Sequence, residues 1–184
     1  MIKKSLLLLL LLLLGMQFTI LRSQIARVDN THSFKATFLG VSYAYEQWLT
    51  QQSTVNFELM VAGGFGSNII RDDYWLIAPI IRLEPRNYYN FVKRHNKGRN
   101  TLHNAANYLS FSVDYQPGIS IGKNNQALRA LSLIPKWGFR RGIGKYFIYE
   151  FATGIGAYHS EVEDWQPIWG IDLKLGLAFQ KSSK

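Results

Sequence analysis

The 184-residue chain contains no cysteine, which excludes a disulfide scaffold, a Cys-based zinc site, a lipidated N-terminal Cys and thiol catalysis. Past residue 14 it has no long apolar run. With a mean hydropathy of −0.07 it is too polar for a bundle of membrane-spanning helices. Acids are scarce, with Asp+Glu 12 against Lys+Arg 21 and a formal charge of +9. No internal repeat of solenoid length is visible. What the chain does have is 47% hydrophobic and 14% aromatic residues, which argues against disorder and suits one domain with a core of ordinary size.

The N-terminus places Lys3 and Lys4 before an unbroken Leu6–Leu14 run, then Gly15, and closes on Arg22-Ser23-Gln24. A charged stretch followed by a short apolar one is the pattern of a secretory signal. Polar Gln17 and Thr19 interrupt the apolar stretch short of the roughly 20 residues a spanning helix requires, which disfavours a permanent anchor. We expect residues 1–23 to be a signal peptide cleaved after Ser23, although Leu21 fits the small-x-small rule poorly. Its removal takes away Lys3, Lys4 and Arg22 and no acid, lowering the formal charge from +9 to +6.

Residues 24–33 read as a polar lead-in. Beyond them period-two alternation predicts strands over 34–38, 41–49, 54–66, 74–86, 107–116, 128–140, 145–158 and 168–179. Turn-forming residues separate them, as at Thr50-Gln-Gln-Ser53, Pro117-Gly118 and Arg141-Gly-Ile-Gly144. The alternation slips at Leu39-Gly40, which is either a bulge in one long strand, giving seven strands, or a tight turn between two, giving eight; the even count of exported barrels favours the turn. Pro79 and Pro135 fall inside strands, where each removes a ladder donor, so bulges are expected beside them. The one long connection, 87–106, has room for one or two helical turns.

Sorted by parity, one face is almost wholly apolar and aromatic, running through Phe34, Tyr43, Phe57, Leu59, Ile81, Phe111, Phe151, Leu173 and Phe179. The other carries twelve charges: Lys35, Glu46, Glu58, Arg82, Glu84, Arg86, Asp114, Lys136, Arg140, Glu150, Asp172 and Lys174. Small residues lie between those charges, among them Ala44, Ala62, Ser112, Gly138, Gly154, Gly156 and Gly170. A soluble lipocalin-like barrel or a sandwich would turn the apolar face inward. A transmembrane barrel reverses this. The small residues favour the reversal, since an eight-stranded lumen is barely wide enough for side chains, whereas a water-facing surface has no need of strand-weakening Gly and Ala. The balance of six acids and six bases agrees, because buried charges must be paired. The expected fold is therefore all-β: an eight-stranded antiparallel up-and-down transmembrane β-barrel, porin-like in wall but with a polar filled lumen, over residues 34–180, followed by a tail at 181–184. An even strand count leaves both termini periplasmic with 50–53, 87–106 and 141–144, and sends 67–73, 117–127 and 159–167 outward.

Tyr45-Glu46-Gln-Trp-Leu49 followed by Thr54-Val-Asn-Phe-Glu58 resembles the second and third strands of small outer-membrane β-barrel proteins of Bacteroidetes-type bacteria, an OmpA/OmpX-like eight-stranded class. Leu83-Glu84-Pro85-Arg86-Asn-Tyr88-Tyr89-Asn90, with Asn104–Leu109, is similar to the same group. The likeness spans roughly residues 34 to 180. It implies an outer-membrane barrel, generally without assigned enzymatic activity. This chain departs from the usual pattern by running on past Phe179, where many such barrels end on the aromatic.

The twelve strand charges are expected to form a structural ion-pair network filling the lumen; a proton or ion path is the competing use. Trp48, Trp75, Trp137, Trp165 and Trp169 are expected in an interfacial aromatic girdle. The loop His159-Ser160-Glu161, with Glu163 and Asp164, holds the residue types of a lipid hydrolase, but neighbours on one loop do not converge into a triad. Lys93, Arg94, Lys97 and Arg99 form a basic run after Tyr88, Tyr89 and Phe91; a solvated loop is the first expectation, and contact with lipid phosphate or an envelope polymer or protein is the competing use, ahead of nucleic acid. His32, His95, His103 and His159 lack metal-ligand spacing. Gly144-Lys145 is no phosphate loop, because Phe139 stands where the first glycine belongs. We expect a bacterial outer-membrane protein of the cell envelope, structural, adhesive or otherwise envelope-associated, in contact with membrane lipid and not an enzyme, without cofactor, metal or nucleic acid. The alternatives are an outer-membrane lipid hydrolase using 159–164 and a soluble periplasmic lipocalin-like binder.

Overall fold

In the computed structural model, which describes residues 26–68, 71–123 and 126–180, the alternating segments pair each with the next in antiparallel register. The expected signal peptide 1–23 and the tail 181–184 lie outside the described residues. The strands are β1 Thr31–Thr37, β2 Gly40–Trp48, β3 Ser53–Asn68, β4 Arg71–Asn87, β5 Asn107–Pro117, β6 Ile121–Lys123, β7 Arg129–Ile143, β8 Phe147–Ser160 and β9 Gln166–Gln180. β1 pairs with β2 on one side and β9 on the other, with Phe34 opposite both Tyr43 and Leu177, so the sheet closes on itself. β6 is a short continuation of β5 along β4, which makes the closed barrel eight-stranded. The turn expected at Leu39-Gly40 is present: Thr37 pairs with Gly40 across a two-residue hairpin. β1 begins at Thr31, inside the stretch read as lead-in, because Thr31 and Ser33 already continue the inward alternation of Lys35.

The in-strand prolines are accommodated in two ways. Across Pro79, the five residues of β4 from Ile77 to Ile81 face the seven of its neighbour from Tyr115 to Ile121, and Gly118 at φ 76 lets the chain turn out. That is an expected bulge, placed on the partner strand. Pro135 is different. Its ladder to β8 is interrupted between Leu133 and Trp137, yet the register is the same on both sides, and Pro135 still pairs with Phe111 on β5. No extra residue is inserted there, so the bulge expected at Pro135 is replaced by a local gap. Gly154 sits opposite that gap. A Cβ on it would lie 1.9 Å from the Pro135 carbonyl oxygen, so its smallness serves the close approach of β7 and β8 rather than lumen space alone.

The two faces are sorted as an inside-out barrel sorts them. Phe57, Ile155 and Leu173 are 51%, 70% and 63% exposed on the outer wall, whereas Lys35, Glu58 and Arg140 are 3%, 2% and 1% exposed within. An apolar hollow of about 690 Å³ lies on the outer wall, where Phe34, Tyr43 and Leu59 face Phe147 and Leu177 across the short β1.

One end of the barrel is closed by the long connection. It holds helix α1, Phe91–Asn96, and a 3-10 turn at Leu102–Asn104, the helical turns for which the sequence left room. Phe91 and Tyr88 turn inward and pack with Val28, Ala106, Tyr108 and Ala152 into a small apolar cluster under the lumen. Asn104 ties this cap to the start of β1: its Oδ1 accepts from Asp29 N (2.9 Å) and its Nδ2 donates to Asp29 O (2.8 Å). His103 and Asn104 adopt φ of 55° and 60°, a left-handed pair that asparagine tolerates better than most side chains.

Candidate functional site

In the closed lumen, chemistry-bearing side chains converge from every wall. All twelve charges singled out by parity join one continuous network. Near the cap, Arg140 donates to Glu46 (2.6 Å) and to Glu150, while Arg86 bridges Glu84 (2.6 Å) and Glu150 (3.4 Å). Lys35 carries the chain onward, lying 3.2 Å from Glu150 and 3.8 Å from Glu58. Lys174 pairs with Glu58 at 2.8 Å and reaches Asp172 at 4.0 Å. Asp172 receives Lys136 (2.8 Å) and Arg82 (3.0 Å), and Arg82 forks onto Asp114 through Nε (2.6 Å) and Nη2 (2.7 Å). Each carboxylate thus meets at least one cation, which offsets the cost of taking it out of water.

Hydroxyls satisfy the lone pairs that remain. Ser42 donates to Glu58 (2.6 Å), Ser110 to Glu84 (2.7 Å), and Thr54 and Tyr88 both to Glu46 (2.6 and 2.7 Å). The Tyr108 ring takes the Arg86 guanidinium on its face at 4.7 Å. A Cβ on Gly138 would meet Tyr108 Cζ at 2.7 Å, so here the small residue does make space inside the lumen. The side chain of Asn56, wholly buried, has no protein partner for either amide atom.

Asp114 and Asp172 are the least enclosed members, with side chains 13% and 16% exposed towards the uncapped end. At the other end the network is bolted to the cap, since Arg140 Nη1 also donates to the His103 carbonyl at 3.0 Å. His103 Nε2 bonds the Lys145 carbonyl at 2.8 Å, and its other ring nitrogen is buried without a partner. Burial holds this imidazole below its ordinary pKa.

The structure does not assemble the 159–164 loop into a catalytic group. His159 and Ser160 alternate to opposite faces: the imidazole stacks on Trp165 at 5.3 Å, while the Ser160 hydroxyl is buried and accepts from Val162 N. Glu161 pairs with Arg129 instead. Among the described residues no group of three His, Asp or Glu side chains is placed to hold a metal ion.

The five tryptophans all stand on the outside. Trp48 and Trp137 lie towards the capped end, where Trp137 Nε1 donates to Tyr89 Oη (3.0 Å); Trp75, Trp165 and Trp169 lie towards the other. In the basic run, Lys93, Lys97 and Arg99 are exposed and Arg94 is half-buried against the Ala105 carbonyl. Tyr88, which the sequence sets beside the basic run, instead turns into the lumen and donates to Glu46, and Tyr108 joins it; both continue the inward parity of Arg86 and Ser110. His103 and Asn104 had no such signal, since they lie outside any strand.

A scan against protein-family models and searches of curated proteins and of solved structures gave no match.

Proposed function

We propose that the protein is an outer-membrane β-barrel of the small Bacteroidetes-type, OmpA/OmpX-like class, exported by its N-terminal signal. Its role is structural, adhesive or otherwise envelope-associated rather than catalytic or conductive. One observation carries this: an apolar, aromatic outer wall encloses a lumen whose twelve charges neutralise one another in a single network. Exposed to water, such a wall would be a large aggregation-prone patch; against lipid it is a matched surface. A lumen packed with ion pairs, and capped at one end by 88–106, leaves no aqueous path of porin width.

The outward tryptophans and tyrosines support the same reading, because amphipathic rings favour the headgroup level. With no pore, activity is exerted through the loops at the open end or through the face of the cap. The test is fractionation of expressing cells with gel mobility of boiled against unboiled protein. We expect detergent-dependent extraction from the outer membrane and a faster unboiled band. Recovery in the soluble periplasmic fraction without detergent would overturn the proposal in favour of a lipocalin-like binder.

A further inference from the structure

The capped end carries cations that form no ion pair among the described residues. The segments that form it (26–30, 49–52, 88–106 and 144–146) contain a single acid, Asp29, which is held by Arg27 and Gln180. The opposite loops are mixed, with acids at Asp72, Asp73, Glu161, Glu163 and Asp164. Three of the capped-end cations are arginines gathered at one point on the rim. Arg94 is held by the carbonyls of Ala105 (3.0 Å) and Asn100 (3.1 Å). Asn100 in turn donates to Gly142 O (3.3 Å), which fixes Arg99 beside the end of β7. Arg141, on β7, projects from the outer wall over the Phe139 ring at 5.0 Å and is oriented by Arg140 O and Asn107 Oδ1.

None of the three forms an ion pair among the described residues, and beside the cost of its own partial burial Arg94 feels the like charges of Arg141 and Arg99. Neutral carbonyl oxygens aim the Arg94 and Arg141 guanidinium groups without neutralising them. Around them stand Tyr89, Trp137 and Tyr149, and Tyr89 Oη is already engaged with Asn107 and Trp137.

We propose that Arg94, Arg99 and Arg141 bind the phosphate of an anionic phospholipid, in the leaflet on the capped side. The inference rests on the membrane reading above and adds the partner's chemistry to it. Position decides for lipid: Arg141 belongs to the apolar outer wall, just where aromatic rings mark the headgroup level, so its natural anion is one whose tails lie along that wall. Guanidinium forks match phosphate oxygens bidentately, and the three converge from α1, the following loop and β7.

The test uses the full mature chain in vesicles of phosphatidylcholine, with Trp-to-dansyl transfer from Trp137 and its neighbours to dansyl-phosphatidylglycerol or dansyl-phosphatidylcholine as trace probe. We expect selective transfer to the anionic probe. Arg99→Gln, whose side chain has no hydrogen-bond partner among the described residues and so leaves the fold intact, should weaken it about fivefold. Arg94→Gln/Arg141→Gln should weaken it further, and Arg129→Gln at the other end should leave it unchanged. Equal transfer to both probes, an undiminished Arg99→Gln, or an equal loss in Arg129→Gln would overturn the site. Displacement of the probe by millimolar inorganic phosphate would overturn the lipid assignment and leave a free-phosphate site. Failure of the unboiled protein to stay with phosphatidylcholine vesicles after an alkaline wash would instead overturn the membrane reading.

Discussion

Arg140 of β7 and Glu46 of β2, 94 positions apart in the chain, meet at 2.6 Å across the lumen, and the same guanidinium nitrogen donates to the His103 carbonyl of the cap. One side chain thereby joins two barrel walls to the segment that closes them. It is also the hub at which Glu46 and Glu150 are held apart from each other by a shared cation.

Removing that hub should be severe. Arg140→Gln leaves two buried carboxylates short of a partner, and we expect a loss of about 3–5 kcal/mol. The readout is the urea midpoint of the unboiled form in detergent micelles. The double variant Glu46→Gln/Arg140→Gln should recover part of the loss, because one of the stranded charges is then gone. A double variant no more stable than the single would mean that the two residues are not coupled.

His103 makes stability depend on pH. Its folded pKa is lowered by burial, so below the ordinary value near 6.5 the unfolded chain binds the extra proton and the folded state does not. Its contribution is therefore complete above that value and is lost as pH falls through the window down to the lowered folded pKa. Unfolding midpoints should drop as pH falls below about 6.5 more steeply in the native protein than in His103→Asn, which cannot titrate there. Parallel slopes would remove His103 from the account.

The cap should open when its tie is cut. Asn104→Ala removes three hydrogen bonds, to Asp29 N, Asp29 O and Thr31 Oγ1, and places a less tolerant residue at φ 60. At about 2 kcal/mol, this corresponds to roughly thirtyfold more open cap at equilibrium. Trypsin cleavage at Lys93, Lys97 and Arg99 should accelerate accordingly, with the barrel itself still showing its unboiled mobility.

The pinch between β7 and β8 should reject a methyl group. In Gly154→Ala the new carbon would start 1.9 Å from the Pro135 carbonyl, and backbone must shift to admit it. We expect a loss of about 1–3 kcal/mol, measured in the same micelle unfolding. An unperturbed midpoint would show that the strands separate there at no cost.

The sequence by itself determined the strands and their two faces, because side chains alternate across a strand and the apolar set from Phe34 to Phe179 never exchanges with the charged set from Lys35 to Lys174. The eighth strand was only half legible, since the parity slip at Leu39-Gly40 admits a turn or a bulge; the even strand count favoured the turn, and the Thr37–Gly40 pairing decides it. Which acid meets which base was not legible. Lys35 reaches Glu150 and Glu58 only because barrel closure staggers β1 against distant strands, and that stagger is a property of the whole sheet. The cap was hidden for the same reason. Asn104 and Asp29 lie 75 positions apart, and no local propensity brings a loop back over the end of a barrel that does not yet exist. The arginine site lay between these cases: Arg94 and Arg99 stood out as a basic run, but Arg141 joined them only when the folded rim carried β7 alongside. Local alternation fixes which way a side chain points, and only closure of the sheet decides what it meets.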